Sequence, residues 1–218
     1  MKPDTHTEKA AFFARFLSRL YLDAPDADLL VELARTSLAL EWPFTPNTLS
    51  SKGFVEIQTA LAGPDLESIR KNLRDEHMLL FIGVGMPLVP LWGSVYLDEE
   101  NLLMGESTLQ LEAFLSKAGL GSNTGVREPL DHLGLVLSAL GVLLERLADR
   151  VAGKNETKDC LRAFLEAHLS PWVSRCLELL DERAQSSFYR GVGKLTAALL
   201  QGLAEAYGAG QVEQKLYY

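Results

Sequence analysis

Apolar residues recur at three- and four-residue steps along most of the chain, and no run alternates Val, Ile or Thr with polar residues. The recurring steps put a hydrophobic stripe on one face of a helix; the missing alternation removes the signature of a half-buried strand. A chain written this way buries itself as helix on helix. Ala10, Phe13, Phe16, Leu17 and Leu20 form the first stripe, behind a capping box at Thr5-x-x-Glu8. Pro25 and Asp26 open a second helix running through Leu29, Leu30, Leu33 and Leu38, and Trp42-Pro43 with Pro46 break it. The spacing predicts a short helix over 54–61, then one opened by Pro64 and carried through Ile69 and Leu73 towards Leu80. Ser107-x-x-Gln110 reads as a second capping box, for a helix to Ala118. A long helix is expected from Pro129 to Val151, another over 158–168, and a third with Ser170 as N-cap and Pro171 at its first position. The last runs from Ser187 to Tyr207 and closes at Gly208 and Gly210. The expectation is all-α: a single compact helical domain over 1–218, of about eight to ten helices.

Two segments resist the pattern. Gly83, Gly85, Pro87, Pro90 and Gly93 punctuate 81–96 too densely for a helix and too often for a central strand. Gly119, Gly121, Ser122, Asn123 and Gly125 make 119–127 a flexible connection or hinge.

Charge and cysteine usage exclude several classes. Lys and Arg number 21 against 29 Asp and Glu, a net charge of −8. The excess sits in residues 1–120, with 17 acids and 10 bases. Such a field repels phosphate backbones, so no nucleic-acid partner is expected, and it attracts basic ligands. Cys160 and Cys176 stand alone, without a Cys-x-x-Cys pair, which argues against a disulfide framework or a cysteine zinc site. No apolar run reaches the roughly 18 residues of a membrane span, and Asp4 and Glu8 interrupt any signal-peptide pattern. A cytoplasmic chain with no membrane span is the expectation.

Glu128, Asp131 and His132 are the densest polar cluster. On a helix opened by Pro129 they share one face. Four readings stay open: capping of a helix start, charge-assisted binding of a guanidinium, a metal site, and acid–base catalysis. The metal reading lacks a third and fourth ligand, and the catalytic one lacks a nucleophile or cofactor fingerprint. In the 81–96 segment Phe81, Met86, Leu88, Leu91, Trp92 and Tyr96 either fold back into the core or line a pocket for an apolar peptide. Gly83-Val84-Gly85 is only a fragment of a dinucleotide loop. Asp98, Glu99, Glu100 and Glu106 then border this apolar stretch with acid.

Taken in order, Pro90-Leu91-Trp92-Gly93-Ser94-Val95-Tyr96-Leu97-Asp98, Met104-Gly105-Glu106-Ser107-Thr108 and Glu128-Pro129-Leu130-Asp131-His132 resemble the TorD/DmsD family. His168-Leu169-Ser170-Pro171-Trp172 and Phe188-Tyr189-Arg190 fit the DmsD-like branch. The resemblance implies an all-helical cytoplasmic chaperone, not an enzyme. Members bind the twin-arginine leader peptide of a molybdoenzyme catalytic subunit of the DMSO-reductase type, and hold it until the cofactor is inserted before export. Carried over by motif, Asp131 and His132 are the leader-binding acidic–histidine pair, with Glu128 at its edge. Trp92, Gly93, Ser94 and Tyr96, with Phe81, border the same groove, and Gly105 and Ser107 form its far side. No metal or cofactor of the chain's own is implied. The Tat translocase enters as a second partner, and monomer and domain-swapped dimer both stay open, with 119–127 as the hinge. A general peptide-binding adaptor and a small nucleotide-hydrolysing enzyme are the alternatives; the missing P-loop and the acidic field weigh against the latter.

Overall fold

The computed structural model describes residues 5–63, 65–83, 85–120, 128–149 and 154–218. Ten α-helices are found among them: α1 (Thr5–Leu22), α2 (Ala27–Arg35), α3 (Thr48–Leu61), α4 (Leu66–His77), α5 (Gly93–Leu97), α6 (Glu106–Lys117), α7 (Leu133–Asp149), α8 (Lys154–Phe164), α9 (Val173–Arg183) and α10 (Ser187–Tyr207). No strand occurs among the described residues, only a single antiparallel bridge between Trp92 and His132. The fold is all-α.

Two long helix pairs make the frame. α1 lies along α7, and α3 along α10. Phe13, Leu17 and Leu20 of α1 meet Val136, Leu137, Leu140 and Leu144 of α7 in one continuous core with Leu195 and Leu199 of α10, all closed to solvent. Such burial is the main stabilising term of the fold. At its edge the Ser18 hydroxyl donates to the Gly134 carbonyl at 2.6 Å. The crossing of α3 and α10 depends on two glycines. A Cβ on Gly191 would stand 2.7 Å from the Gly53 carbonyl oxygen and 2.8 Å from Ile57 Cγ1. Backbone cannot yield there as a flexible side chain could. Gly191→Val should therefore cost about 1–3 kcal/mol through overpacking. For a chain of this size that lowers Tm by roughly 2–12 °C. A melting curve unchanged by the substitution would show that the crossing can relax.

Helix starts are where pattern and structure part. The long helix expected from Pro129 begins at Leu133, because the backbone of 131–133 bonds to a neighbouring loop instead. Leu133 N–H donates to Leu91 O at 2.6 Å, and Gly93 N–H to Asp131 O at 3.1 Å. Glu128, Asp131 and His132 thus precede the helix rather than share its face. The Ser107 capping box does not form: Gly105 is the N-cap of α6, and the Thr108 amide donates to the Gly105 carbonyl. Ser170 does not cap α9 either. It ends a π-turn at Leu165–Leu169, and its hydroxyl accepts from the Val212 amide at 3.0 Å. A second π-turn at Met78–Ile82 prolongs α4 into the segment read as irregular, which later carries α5. Asn47 and Ser50 cap α3 reciprocally, six residues before the expected start at Phe54. Asp4, Pro64 and most of the 119–127 hinge lie outside the described residues.

Each π-turn leads into the same region. The turn at Met78–Ile82 feeds the loop that carries Trp92, and the turn at Leu165–Leu169 delivers Trp172. That convergence positions the site.

Candidate functional site

Asp131 sits in the turn before α7 and points at the start of α5. Its Oδ2 accepts from the Ser94 N–H at 2.7 Å, so a carboxylate from one segment caps a five-residue helix in another. Among the described residues its other oxygen, Oδ1, is buried without a partner, as are the hydroxyls of Ser94 and Thr108. These three groups are neighbours in the fold. Gly105 packs against Ser94 Cβ, and the Thr108 amide bonds to Gly105. A buried carboxylate oxygen left unpaired is costly, which makes this a place where a donor is wanted.

His132 is buried beside it. Its Nδ1 accepts from the Gly134 amide at 3.1 Å, which puts the ring proton of the neutral form on Nε2. Burial, with a further push from the charge of His77, lowers its pKa from 6.5 to about 4. Neutral pH therefore leaves His132 uncharged, and it does not repel a cation at Asp131. The Trp92 ring meets the His132 ring edge-on, centroids 5.6 Å apart, and Trp92 Nε1 donates to Glu128 Oε2 at 3.2 Å. Trp92 is half-buried and Glu128 exposed, so both reach the surface. Around them the surface is acidic and apolar. Leu102, Leu103, Met104 and Leu109 stand exposed among Asp98, Glu99, Glu100 and Glu106. Among the described residues none of these acids, nor Glu128 or Asp131, forms an ion pair.

Behind this face stands an aromatic wall. Tyr96 stacks on Trp172 with centroids 5.6 Å apart and an interplanar angle of 23°, and its hydroxyl donates to Pro90 O at 2.7 Å. Trp172 Nε1 donates to His168 O at 2.9 Å. Gly93 is required here, because a Cβ would lie 2.9 Å from the Trp172 indole. Phe81 is further back, edge-on to His77 at 5.0 Å, to Tyr189 at 5.5 Å and to Tyr21 at 5.9 Å. The structure thus brings Trp92, Glu128, Asp131, His132, Gly93 and Ser94 together, places Gly105 and half-buried Ser107 at their flank, and closes Tyr96 and Phe81 to solvent. Sequence reasoning gave His77 no role and named Thr108 only within its motif, not as a site residue. A lone histidine on a helical stripe carries no signal, and only the fold brings these two to the site.

The histidines set a pH response. The unfolded chain binds a proton on His132 near pH 6.5, while the folded chain resists it to about 4. Between those values the unfolded state holds more protons, so stability rises with pH and is lost as pH falls through the window. For His132 alone the loss is on the order of 3 kcal/mol. Burial also pushes His168 down to about 4, which steepens the fall. Melting curves from pH 7 to 4 should show it, and His132→Asn should flatten the slope. A variant slope parallel to that of the unaltered chain would contradict the assignment.

Residues 50–178 match the model of the nitrate reductase delta subunit family, and the chain belongs to that family, which takes in maturation chaperones of redox enzymes. Among relatives, the chain is 30% identical over 194 residues to the Tat proofreading chaperone DmsD of Salmonella paratyphi A, covering 87% of this chain and 86% of that one. It is 29% identical over 191 residues to the chaperone protein TorD of Vibrio vulnificus, again covering 87% and 86%. A crystal structure of a candidate redox enzyme maturation protein from Archaeoglobus fulgidus shares the fold, with a TM-score of 0.51 and 20% identity over 87% of this chain and 93% of that one. Members named as chaperones place the chain with proteins that bind rather than catalyse. No helix among the described residues is long and apolar enough to cross a membrane.

Proposed function

We propose that the chain is a cytoplasmic maturation chaperone that binds the twin-arginine leader of a molybdoenzyme catalytic subunit and holds it while the cofactor is inserted, before hand-over to the Tat translocase. The observation that carries this reading is the unpaired, buried Oδ1 of Asp131, set beside half-buried Trp92 and an unpaired acidic surface. A guanidinium supplies the donor that this oxygen lacks, and Glu128 offers a second carboxylate at the rim. Trp92 gives a face for the cation or for the apolar stretch behind it. Gly93, Ser94, Tyr96, Phe81, Gly105 and Ser107 hold these groups in place.

Titration calorimetry with leader peptides tests it. A peptide with Arg-Arg should bind clearly tighter than one with Lys-Lys, since a lysine ammonium cannot fork across two acceptors. Equal affinity would favour a general peptide adaptor instead. The field of Asp98, Glu99, Glu100 and Glu106 should also steer encounter. Association should slow as salt rises past about 0.15 M, where the screening length is about 8 Å, while dissociation changes less. An association rate indifferent to salt would leave these acids without a recruiting role.

A further inference from the structure

Residues 209–218 follow α10 without helix or strand and reach Tyr96 beside the candidate site. Their main chain, not their side chains, makes most of the attachment. Gly210 N–H donates to Glu166 Oε1 at 2.8 Å, Val212 N–H to Ser170 Oγ at 3.0 Å, and Tyr217 N–H to Tyr96 O at 2.9 Å. At the far end Tyr218 lies edge-on to Tyr96, centroids 5.7 Å apart, and Arg175 Nε reaches the Tyr218 main-chain oxygen at 3.4 Å. Main-chain bonds of this kind accept any extended sequence, with selectivity left to the pockets between them.

The pocket beside the segment is not filled by it. A cavity of ≈ 570 Å³ opens between 209–213, α9 and α10, floored by Leu169, Val173, Leu177, Ala197 and Leu200. The covering segment is thinly packed: Gln211, Val212, Glu213, Gln214 and Lys215 are all exposed. Its strongest side-chain contact hides Tyr96, which is otherwise sandwiched on Trp172 two residues along α5 from the Ser94 amide held by Asp131.

We propose that the track from Glu166 past Ser170 to Tyr96 is a second binding surface for an extended, apolar peptide segment, held in the free protein by residues 209–218 as a stand-in. The occupant is the apolar stretch that accompanies the arginine pair of the leader, an identity that rests on the function proposed above. The track ends beside the arginine site, its donors and acceptors suit extended backbone, and its floor is apolar. Binding of the leader displaces the stand-in, so the apparent affinity is reduced by the fraction of molecules in which the track is covered.

The test uses the full chain, Tyr218→Ser and Val212→Pro, each with an Arg-Arg leader peptide and with one whose apolar stretch is replaced by serine and glycine. Tyr218 and Val212 are both exposed, and proline at 212 removes only the N–H that the segment donates to Ser170 Oγ, so both variants should melt close to the unaltered chain. Both should bind the intact leader about tenfold tighter and the serine–glycine leader no better than the unaltered chain does. Hydrogen exchange should show the Val212 and Tyr217 amides protected in the free protein and unprotected at saturation with the intact leader. Unchanged affinity in both variants, or amides that stay protected at saturation, would overturn the displacement while leaving the arginine site intact. No binding of the intact leader by any of the three proteins would overturn this proposal together with the function on which it rests.

Discussion

Asp131→Asn should lower affinity for an Arg-Arg leader by about ten- to hundredfold and leave the fold standing. The amide oxygen of asparagine still accepts from the Ser94 N–H, which Asp131 holds at 2.7 Å, so α5 keeps its cap. What is lost is the negative charge on the unpaired Oδ1. A charge-assisted bond to a guanidinium in a partly dry site is worth roughly 1.5–3 kcal/mol, which is that loss in affinity. Asp131→Ala is the less informative change. It strips the cap as well, leaves a buried N–H unpaired, and should cost about 1–3 kcal/mol of stability on top of binding. Comparing the two by calorimetry and by melting separates recognition from support. If Asn and Ala melt alike and bind alike, the Ser94 bond is not what holds α5.

Trp172→Ala should produce the largest change in stability. Trp172 is among the largest fully buried side chains, stacked on Tyr96 and filling the space above Gly93. Truncating a buried tryptophan costs about 3–5 kcal/mol, because the cavity left behind closes only in part. For this chain that is a fall in Tm on the order of 10 °C. The loss should extend to function, since the indole fixes the Gly93–Ser94 backbone that Asp131 caps. Trp172→Phe, which keeps the stacking and drops the bond to His168 O, should recover most of both. Binding that survives Trp172→Ala undiminished would show that α5 is positioned by Asp131 alone.

Most of the helical frame can be read from the chain, because apolar periodicity reports directly which face is buried. The stripe through Phe13, Leu17 and Leu20 is closed to solvent along its length. Helix starts are less legible. Asp131 does cap a helix, but α5 from another part of the chain rather than the one it precedes. No local pattern can report a partner 37 positions away. Ser107 and Ser170 have the right chemistry for caps, yet α6 already begins at its N-cap Gly105, and the Ser170 hydroxyl accepts from the distant Val212 amide instead. The site motifs mark Trp92, Glu128, Asp131 and His132, which the fold brings together. They also mark Tyr96 and Phe81, which it buries, because an aromatic in a motif looks the same whether it touches a ligand or shapes the wall behind one. The π-turns and His77 leave no mark in the sequence, and Thr108 stands in a motif without being singled out as a site residue.

The central claim is that the Asp131 carboxylate meets an arginine of the leader. A double-mutant cycle tests it most directly: the unaltered chain and Asp131→Asn, each titrated with an Arg-Arg leader and with a leader in which one arginine is alanine. The account predicts strong non-additivity at one of the two arginines, with a coupling of roughly 1.5–3 kcal/mol, because removing either partner already removes their shared bond. Losses that simply add at both arginines would mean that Asp131 touches neither, and would contradict the account.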